Sequence, residues 1–550
     1  MRNRYFSVGF FIMWALAVAG CSGQSNGPGT NTAAPEPPEY AVPAYGDMFV
    51  DGSIGDASVL LPVLAADSAS FAVTGNVYNG LVKYDEDINL VGDLAEKWEI
   101  SPDNLKIRFY LNKGVRWQDG QPFTARDVEY TYLLYTDEKT PTAYATDFLK
   151  VKEFRVLDDY TVEVTYDKPY APALGSWAVA IHPRHLLAGT NVVDSPLKRH
   201  PVGTGPYKFK EWVTGEKILL DANPDCFMGR PYISRTMTRI IPDPATMFLE
   251  LKAGRIDMMG LGPLQYMRQT NTSWFKEQYK KYKYLATGYT YLGYNLQKEK
   301  FKDKRVRQAI TMAIDREGIV KGVLLGLGVV AHSPYKPDTY WYNPNVRKFP
   351  YDPEKAKQLL AEAGWKDTDN DGILDKDGTP FEIEIITNHG NETRKNTATI
   401  IQWYLGKIGI KVKIRVIEWA AFLKNFINKR NFEVCLLGWS IGQDPHQVDI
   451  WNSKKTGPTQ LNFVHYQNPE VDELLDKGAA TYDRAERKKY YDKFQEIIAE
   501  DQPYTFLYVP ESLPIVSSRI KGIVPAPLGI SYDFPKWYVP KPMQKYQIEP

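Results

Sequence analysis

The chain has 550 residues, with 67 Lys and Arg against 66 Asp and Glu and a formal charge of +1. This balance leaves no basic excess for nucleic acid, and the length exceeds what one compact core holds, so two or more lobes are expected. Beyond the first 20 residues no apolar run reaches the roughly 18 to 20 residues of a membrane span, so a soluble body is expected.

The N-terminus reads Met-Arg-Asn-Arg, runs apolar from Tyr5 to Ala19 and ends in Val18-Ala19-Gly20-Cys21. A basic start, an apolar stretch too short for a permanent span and small residues before a cleavage point make an export signal over residues 1–20. The Val-Ala-Gly-Cys tetrad resembles a bacterial lipobox, which implies diacylglycerol on the Cys21 sulfur and a membrane-anchored lipoprotein outside the cytoplasm. An ordinary secreted protein, with Cys21 merely near the cleavage point, is the alternative. Residues 21–45 are rich in Gly, Asn, Pro, Ser and Ala, a composition that reads as a flexible tether. Only Cys226 and Cys435 remain, and the sequence leaves open whether they pair or stay free.

Strands alternate over 106–111 and 161–166. The spacing of Val306, Ala309, Ile310, Ala313 and Ile314 predicts a helix over 304–314, with Asp303 as its N-cap. Asp352-Pro353 opens a second helix that buries Ala356, Leu359, Leu360 and Ala363 and stops at Gly364. Further strands are expected at 381–386 and 411–416. Asn468-Pro469 opens a third helix, and Asp483 with Glu486 forms a capping box for a fourth, burying Tyr490, Tyr491, Phe494, Ile497 and Ile498. With no repeat of fixed period, the architecture is α/β or α+β in several lobes.

Asp367-Thr368-Asp369-Asn370-Asp371-Gly372-Ile373-Leu374-Asp375 sets carboxylates at positions 1, 3, 5 and 9 of an EF-hand-type loop. Gly372 makes the tight turn and Ile373 offers a carbonyl, so a structural Ca²⁺ site is expected from Asp367, Asp369, Asp371, Ile373 and Asp375. Gly378 stands where the loop's bidentate glutamate belongs, so Asp377 or another acid must complete the shell.

Gly438-Trp439-Ser440-Ile441-Gly442 matches the nucleophile elbow of serine hydrolases, with His446 and His465 as possible bases. Pro445 interrupts the helix such an elbow needs, so no catalytic residue is assigned and hydrolysis stays a remote alternative.

Leu94-Ala95-Glu96-Lys97-Trp98, Ser101-Pro102-Asp103 and the long run from Gly114 through Trp117-Gln118-Asp119-Gly120-Gln121-Pro122-Phe123-Thr124-Ala125-Arg126-Asp127-Val128 carry a resemblance. They closely resemble the signature of the extracellular solute-binding proteins of family 5, receptors of peptide, oligosaccharide and nickel ABC importers. Pro201-Val202-Gly203-Thr204-Gly205-Pro206-Tyr207, Asn223-Pro224-Asp225, Arg305-Val306-Arg307-Gln308-Ala309-Ile310, Ala313-Ile314-Asp315-Arg316 and Glu362-Ala363-Gly364-Trp365 extend it along the chain.

The resemblance implies an α/β, two-lobed periplasmic-binding-protein type II fold with a hinge and an extra domain on one lobe. Lobe 1 is expected over 46–90, 201–290 and 506–550, the extra domain over 91–200 and lobe 2 over 291–505. It implies a non-enzymatic receptor, probed first as a peptide receptor and otherwise as one for an oligosaccharide or another solute. Such a receptor is a monomer that hands its solute to an ABC permease and ATPase complex. In peptide receptors of the family a Trp matching Trp439 lines the pocket, and an Asp three residues on pairs with the peptide's α-ammonium. Here that position is Gly442, so the nearest carboxylate, Asp444, is the candidate, although Asp444-Pro445 is equally a turn device. Tyr144 lies where similar receptors face the solute.

Overall fold

The computed structural model describes residues 42–548. The export signal, Cys21 and most of the tether lie outside them. Two seven-stranded sheets and a smaller four-stranded one carry the chain.

The first sheet runs Tyr279–Lys281, Pro514–Ser517, Met258–Gly260, Gly46–Ser53, Ile233–Ile240, Lys217–Ala222 and Tyr207–Val213. Gly46–Ser53 is parallel to both its neighbours, and the remaining pairs are antiparallel. The second runs Tyr284–Leu285, Tyr504–Ser512, Gly288–Tyr294, Val434–Ser440, Glu382–Asn388 and Lys411–Ile417, with Gly328–Val330 also on Tyr504–Ser512. Gly288–Tyr294 is buried along its whole length, as befits a central strand covered on both faces. The third sheet, Ala95–Ile100, Lys106–Leu111, Thr161–Tyr166 and Val151–Asp158, is antiparallel and packs on the helix Ala125–Thr136.

Sheet membership moves two expected boundaries. The chain crosses from the first lobe to the second between Lys281 and Tyr284, not at 290, and returns between Ser512 and Pro514, not at 505. The cause is pairing across more than 200 residues: Tyr508 sits opposite Thr290 and Val516 opposite Met258, which no local pattern encodes.

The caps form as side-chain chemistry dictates. Asp303 accepts from the Arg305 amide at 2.9 Å, Asp352 from Lys355 at 2.9 Å, Asn468 from Glu470 at 3.0 Å and Asp483 from Glu486 at 2.8 Å. Glu486 does not reciprocate; its carboxylate takes Lys489 instead. Of that helix's expected core, Tyr491, Phe494 and Ile498 are buried, while Tyr490 and Ile497 are half-buried because they flank the packed stripe. Val306, Ala309, Ile310 and Ala313 close the second lobe's core with Ala356 and Leu360, each burial of a large aliphatic contributing about 1.5–3 kcal/mol. Cys226 and Cys435 are free, buried thiols in different lobes, and burial pushes the Cys435 thiol up to about 12.

The lobes touch. Trp419 Nε1 lies 3.5 Å from Asp67, which caps the helix Ser68–Thr74 of the first lobe. Gly390, at φ +84°, passes so close that a Cβ there would stand 2.7 Å from the Pro242 carbonyl oxygen. The inserted domain meets the second lobe where Thr146 donates to Asp449, the Tyr482 hydroxyl donates to the Tyr170 carbonyl at 2.9 Å, and the Ala171 amide donates to the Ala479 carbonyl at 2.7 Å.

Candidate functional site

The carboxyl ends of parallel strands from both lobes converge, the place where open α/β sheets collect ligands. Gly46–Ser53 and Ile233–Ile240 lead into Ile54, Gly55 and Pro242; Glu382–Asn388, Lys411–Ile417 and Val434–Ser440 lead into Gly390, Trp419 and the segment after Ser440.

Trp439 sits on the last of these strands, half-buried, opposite Tyr289. Its ring lies nearly parallel to Tyr291, centroids 6.4 Å apart, and 5.6 Å from Phe463. Its indole N–H donates to the Tyr504 hydroxyl at 3.2 Å. The indole therefore offers area to a solute while its donor is used within the lobe.

Asp444 is engaged on both oxygens. Arg487 grips it through Nη1 and Nη2 at 2.8 and 2.9 Å, and the same carboxylate takes the His446 amide at 2.8 Å. Arg487 is buried, so its charge needs this partner. Set against the expectation of Asp444 as an ammonium partner, its carboxylate already accepts from Arg487 on both oxygens and from the His446 amide, and it serves as the counter-ion of a buried guanidinium.

Tyr144 stands on the inserted domain, half-buried, its ring 6.2 Å from Phe71. Burial, then Asp449 of the second lobe and Asp67 of the first, push its phenol further up, so its hydroxyl lies in the field of both lobes. Around it opens a cavity of about 460 Å³. Beside it, Asp147 accepts from the Tyr170 hydroxyl, and Asp449 holds Thr146 and, at 3.3 Å, Lys455. Burial, then the Asp449 charge, push the Asp147 carboxyl up to about 7.

Sequence reasoning missed Arg394. It lies in the first turn of the helix Glu392–Gly406, and its Nη1 donates to Asn388 at 2.9 Å. A Cβ on Gly438 would stand 2.6 Å from its Nη2, so glycine there gives the guanidinium room. Among the described residues no carboxylate forms an ion pair with it, and burial pulls its pKa down. The signal was an arginine just after a capping Asn at a strand's carboxyl end, legible only once the sheet order is known.

The nucleophile elbow does not form. No helix follows Ser440, the next helical segment being Val448–Trp451, and His446 lies 3.3 Å from the Tyr491 hydroxyl through Nδ1. His465 sits in a separate turn at φ +60°.

In the acidic loop, carboxylate oxygens of Asp367, Asp369 and Asp371 come within 4.8 Å of one another, all exposed. Gly372, at φ +85°, makes the turn and donates its amide to Asp367 at 3.1 Å. Asp375 corrects the expected ligand set: it accepts from the Thr368 amide and hydroxyl at 2.9 and 2.8 Å, closing the loop from outside the trio. The Ile373 amide donates to Asp371 at 2.8 Å.

Two lobes whose parallel strands end toward one another frame a place for a solute, and the comparisons with known proteins say which family uses it. Residues 89–460 match the model of the bacterial extracellular solute-binding proteins, family 5, and the chain belongs to that family. It is 36% identical over 545 residues to the oligopeptide-binding protein AppA of Bacillus subtilis, covering 96% of this chain and 97% of that protein. The structure of AppA with a nonapeptide superposes with a TM-score of 0.86 over 90% of this chain and 100% of that one. DppA of Helicobacter pylori, in complex with the peptide STSA, is 30% identical with a TM-score of 0.82, covering 90% and 99%. NikZ of Campylobacter jejuni, in complex with Ni(L-His), is 29% identical with a TM-score of 0.81 over the same shares.

Proposed function

We propose that this chain is a lipoprotein receptor of an ABC importer, anchored at Cys21, which captures peptides between its lobes as a monomer and delivers them to the permease and its ATPase. The observation that carries the reading is Arg394, a cation in the helix turn that follows the carboxyl end of Glu382–Asn388, whose side chain donates to the neutral amide of Asn388 and has no ion-pair partner among the described residues. A peptide's terminal carboxylate is the complementary group, since a guanidinium binds carboxylates through paired N–H donors. Peptides bound to the related AppA and DppA support the class. A solute touching both lobes selects the closed arrangement over the open one by its differential contacts. Nothing in this mechanism makes or breaks a covalent bond.

Native mass spectrometry of the purified protein identifies co-purified solute, and calorimetry with matched free-acid and C-terminally amidated peptides tests the contact. Amidation should weaken binding about tenfold or more, and Arg394→Gln should erase the difference. Absence of any peptide binding rejects the reading in favour of an oligosaccharide or another solute.

We also propose that Asp367, Asp369 and Asp371 hold a structural Ca²⁺, their converging hard oxygens being the support.

A further inference from the structure

The helical layer over the first sheet has an outer face as well as an inner one. Inward, Met247, Phe248 and Leu251 of the helix Pro244–Lys252 and Phe275 of the helix Ser273–Gln278 join Val50, Met259 and Ile515 of the sheet in one core. Phe248 stacks on Phe275 with centroids 5.7 Å apart, and Gln265, in the π-helical turn Gln265–Gln269, reaches the Pro244 carbonyl at 3.5 Å. The three segments therefore form a single layer. Outward, it leaves Leu249, Leu264, Met267 and Trp274 between 44% and 60% exposed, four large apolar side chains set in water on one face.

Cations stand among them. Lys252, Arg268 and Lys276 are exposed, and the Lys281 ammonium lies 4.3 Å over the Tyr266 ring and donates to the Tyr266 carbonyl at 2.9 Å. None of the four forms an ion pair among the described residues. The acids of the layer are engaged elsewhere: Glu250 takes Arg239 at 2.6 Å and Arg255 at 2.7 Å, and the buried Asp257 takes Arg519 at 2.5 Å. Among the described residues of 244–281, Glu277 alone is left as a carboxylate without an ion pair.

The chain enters the first sheet beside this face. The Gln544 side chain donates to the Tyr45 carbonyl at 3.0 Å, the Lys545 amide donates to Asp47 at 3.1 Å, and the Lys545 ammonium donates to the Gly254 carbonyl at 3.3 Å. The start of Gly46–Ser53 is thus one side chain away from the segment that ends the helix Pro244–Lys252.

We infer that the outer face of this layer rests on the membrane that holds the lipid anchor, its apolar side chains at headgroup level and its cations against anionic headgroups. This rests on the reading of Cys21 above. A tether over residues 21–45 reaches about 25–30 Å as a coil, so a weak contact next to its exit is enough to seat the face. Such a contact adds to a lipid chain and does not replace it. The Cys21→Ser chain therefore still leaves membranes on washing.

The test mixes the mature chain carrying Cys21→Ser with vesicles of about 30% phosphatidylglycerol in phosphatidylcholine, at millimolar lipid, and reads the sedimented fraction. Partitioning should exceed that onto phosphatidylcholine alone by about tenfold or more, and should fall toward it in about 0.5 M salt, where charges are screened within about 4 Å. Lys252→Gln, Arg268→Gln and Lys276→Gln together should remove the preference for the anionic vesicles. Leu249→Ser with Trp274→Ser should cut partitioning about tenfold; circular dichroism confirms that both variants are folded. Equal sedimentation with the two kinds of vesicle, or partitioning unmoved by both folded variants, overturns the membrane face while leaving the anchor standing. Binding to the permease complex in detergent with none to vesicles assigns the face to a protein and overturns it likewise. A native chain recovered wholly in the soluble fraction overturns the anchor, whatever the vesicles show.

Discussion

Arg487 and Asp444, 43 residues apart, meet as a two-pronged ion pair with both N–O distances under 3 Å, at the mouth of the segment that follows Trp439. Arg487 keeps only 7% of its side chain in water and Asp444 33%. Removing Asp444 strands a buried cation. Asp444→Ala should destabilise the fold by about 2 kcal/mol, between the roughly 3–5 kcal/mol of a fully buried pair and the less than about 1 kcal/mol of an exposed one, because the acid is partly wet. Chemical denaturation reads this. Free and N-acetylated peptides should lose affinity equally; a selective loss of the free amine would restore Asp444 as the ammonium partner.

Asp147 predicts a pH dependence of solute binding. With the inserted domain in contact with the second lobe, burial and then Asp449 raise its carboxyl to about 7, facing Asp449, Asp444 and Lys455 of that lobe and the Tyr170 hydroxyl of its own domain. Opened to water, it returns toward the ordinary aspartate value near 3.9. A carboxyl raised on closing means that closing takes up a proton between those values. Affinity should therefore fall as pH rises from about 4 to about 7 and level off above. Asp147→Asn should flatten that slope in calorimetric titrations, and an unchanged slope would assign it to another group.

Trp439→Ala should weaken the solute by about tenfold or more through lost contact area. It should also cost stability, because the indole packs on Tyr291 and Phe463 and donates to Tyr504. Trp439→Phe keeps part of the area and loses the donor, so it should restore affinity more than stability.

Calcium should raise the melting temperature by mass action on the folded state, and EDTA should lower it. Asp369→Ala should abolish the difference. Identical curves with millimolar calcium and with EDTA would reject the site.

Cys21→Ser should release the protein from membranes without changing its melting temperature. Fractionation that finds the variant still membrane-bound would overturn lipid anchoring at that residue.

Local signals in the sequence carried the helices well: Asp303, Asp352, Asn468 and Asp483 cap where a short polar side chain precedes an apolar period. What could not be seen was anything decided by partners far along the chain. Tyr504–Ser512 and Pro514–Ser517 follow each other directly in the chain, yet their pairings send them to different sheets. Asp444 looked available because its guanidinium lies 43 residues along the chain, and Arg394 drew no reading at all because its place at a strand's carboxyl end depends on the sheet order. Asp375 fitted a ligand spacing, but Thr368, two hydrogen-bonding groups in one residue, is the nearer claimant.

The two passages between lobes run side by side, Tyr279–Lys281 against Pro514–Ser517 on one bank and Tyr284–Leu285 against Tyr504–Ser512 on the other. The late segment 504–517 thereby supplies an interior strand to both large sheets. During synthesis, therefore, neither lobe can complete its sheet until more than nine-tenths of the 550 residues have left the ribosome.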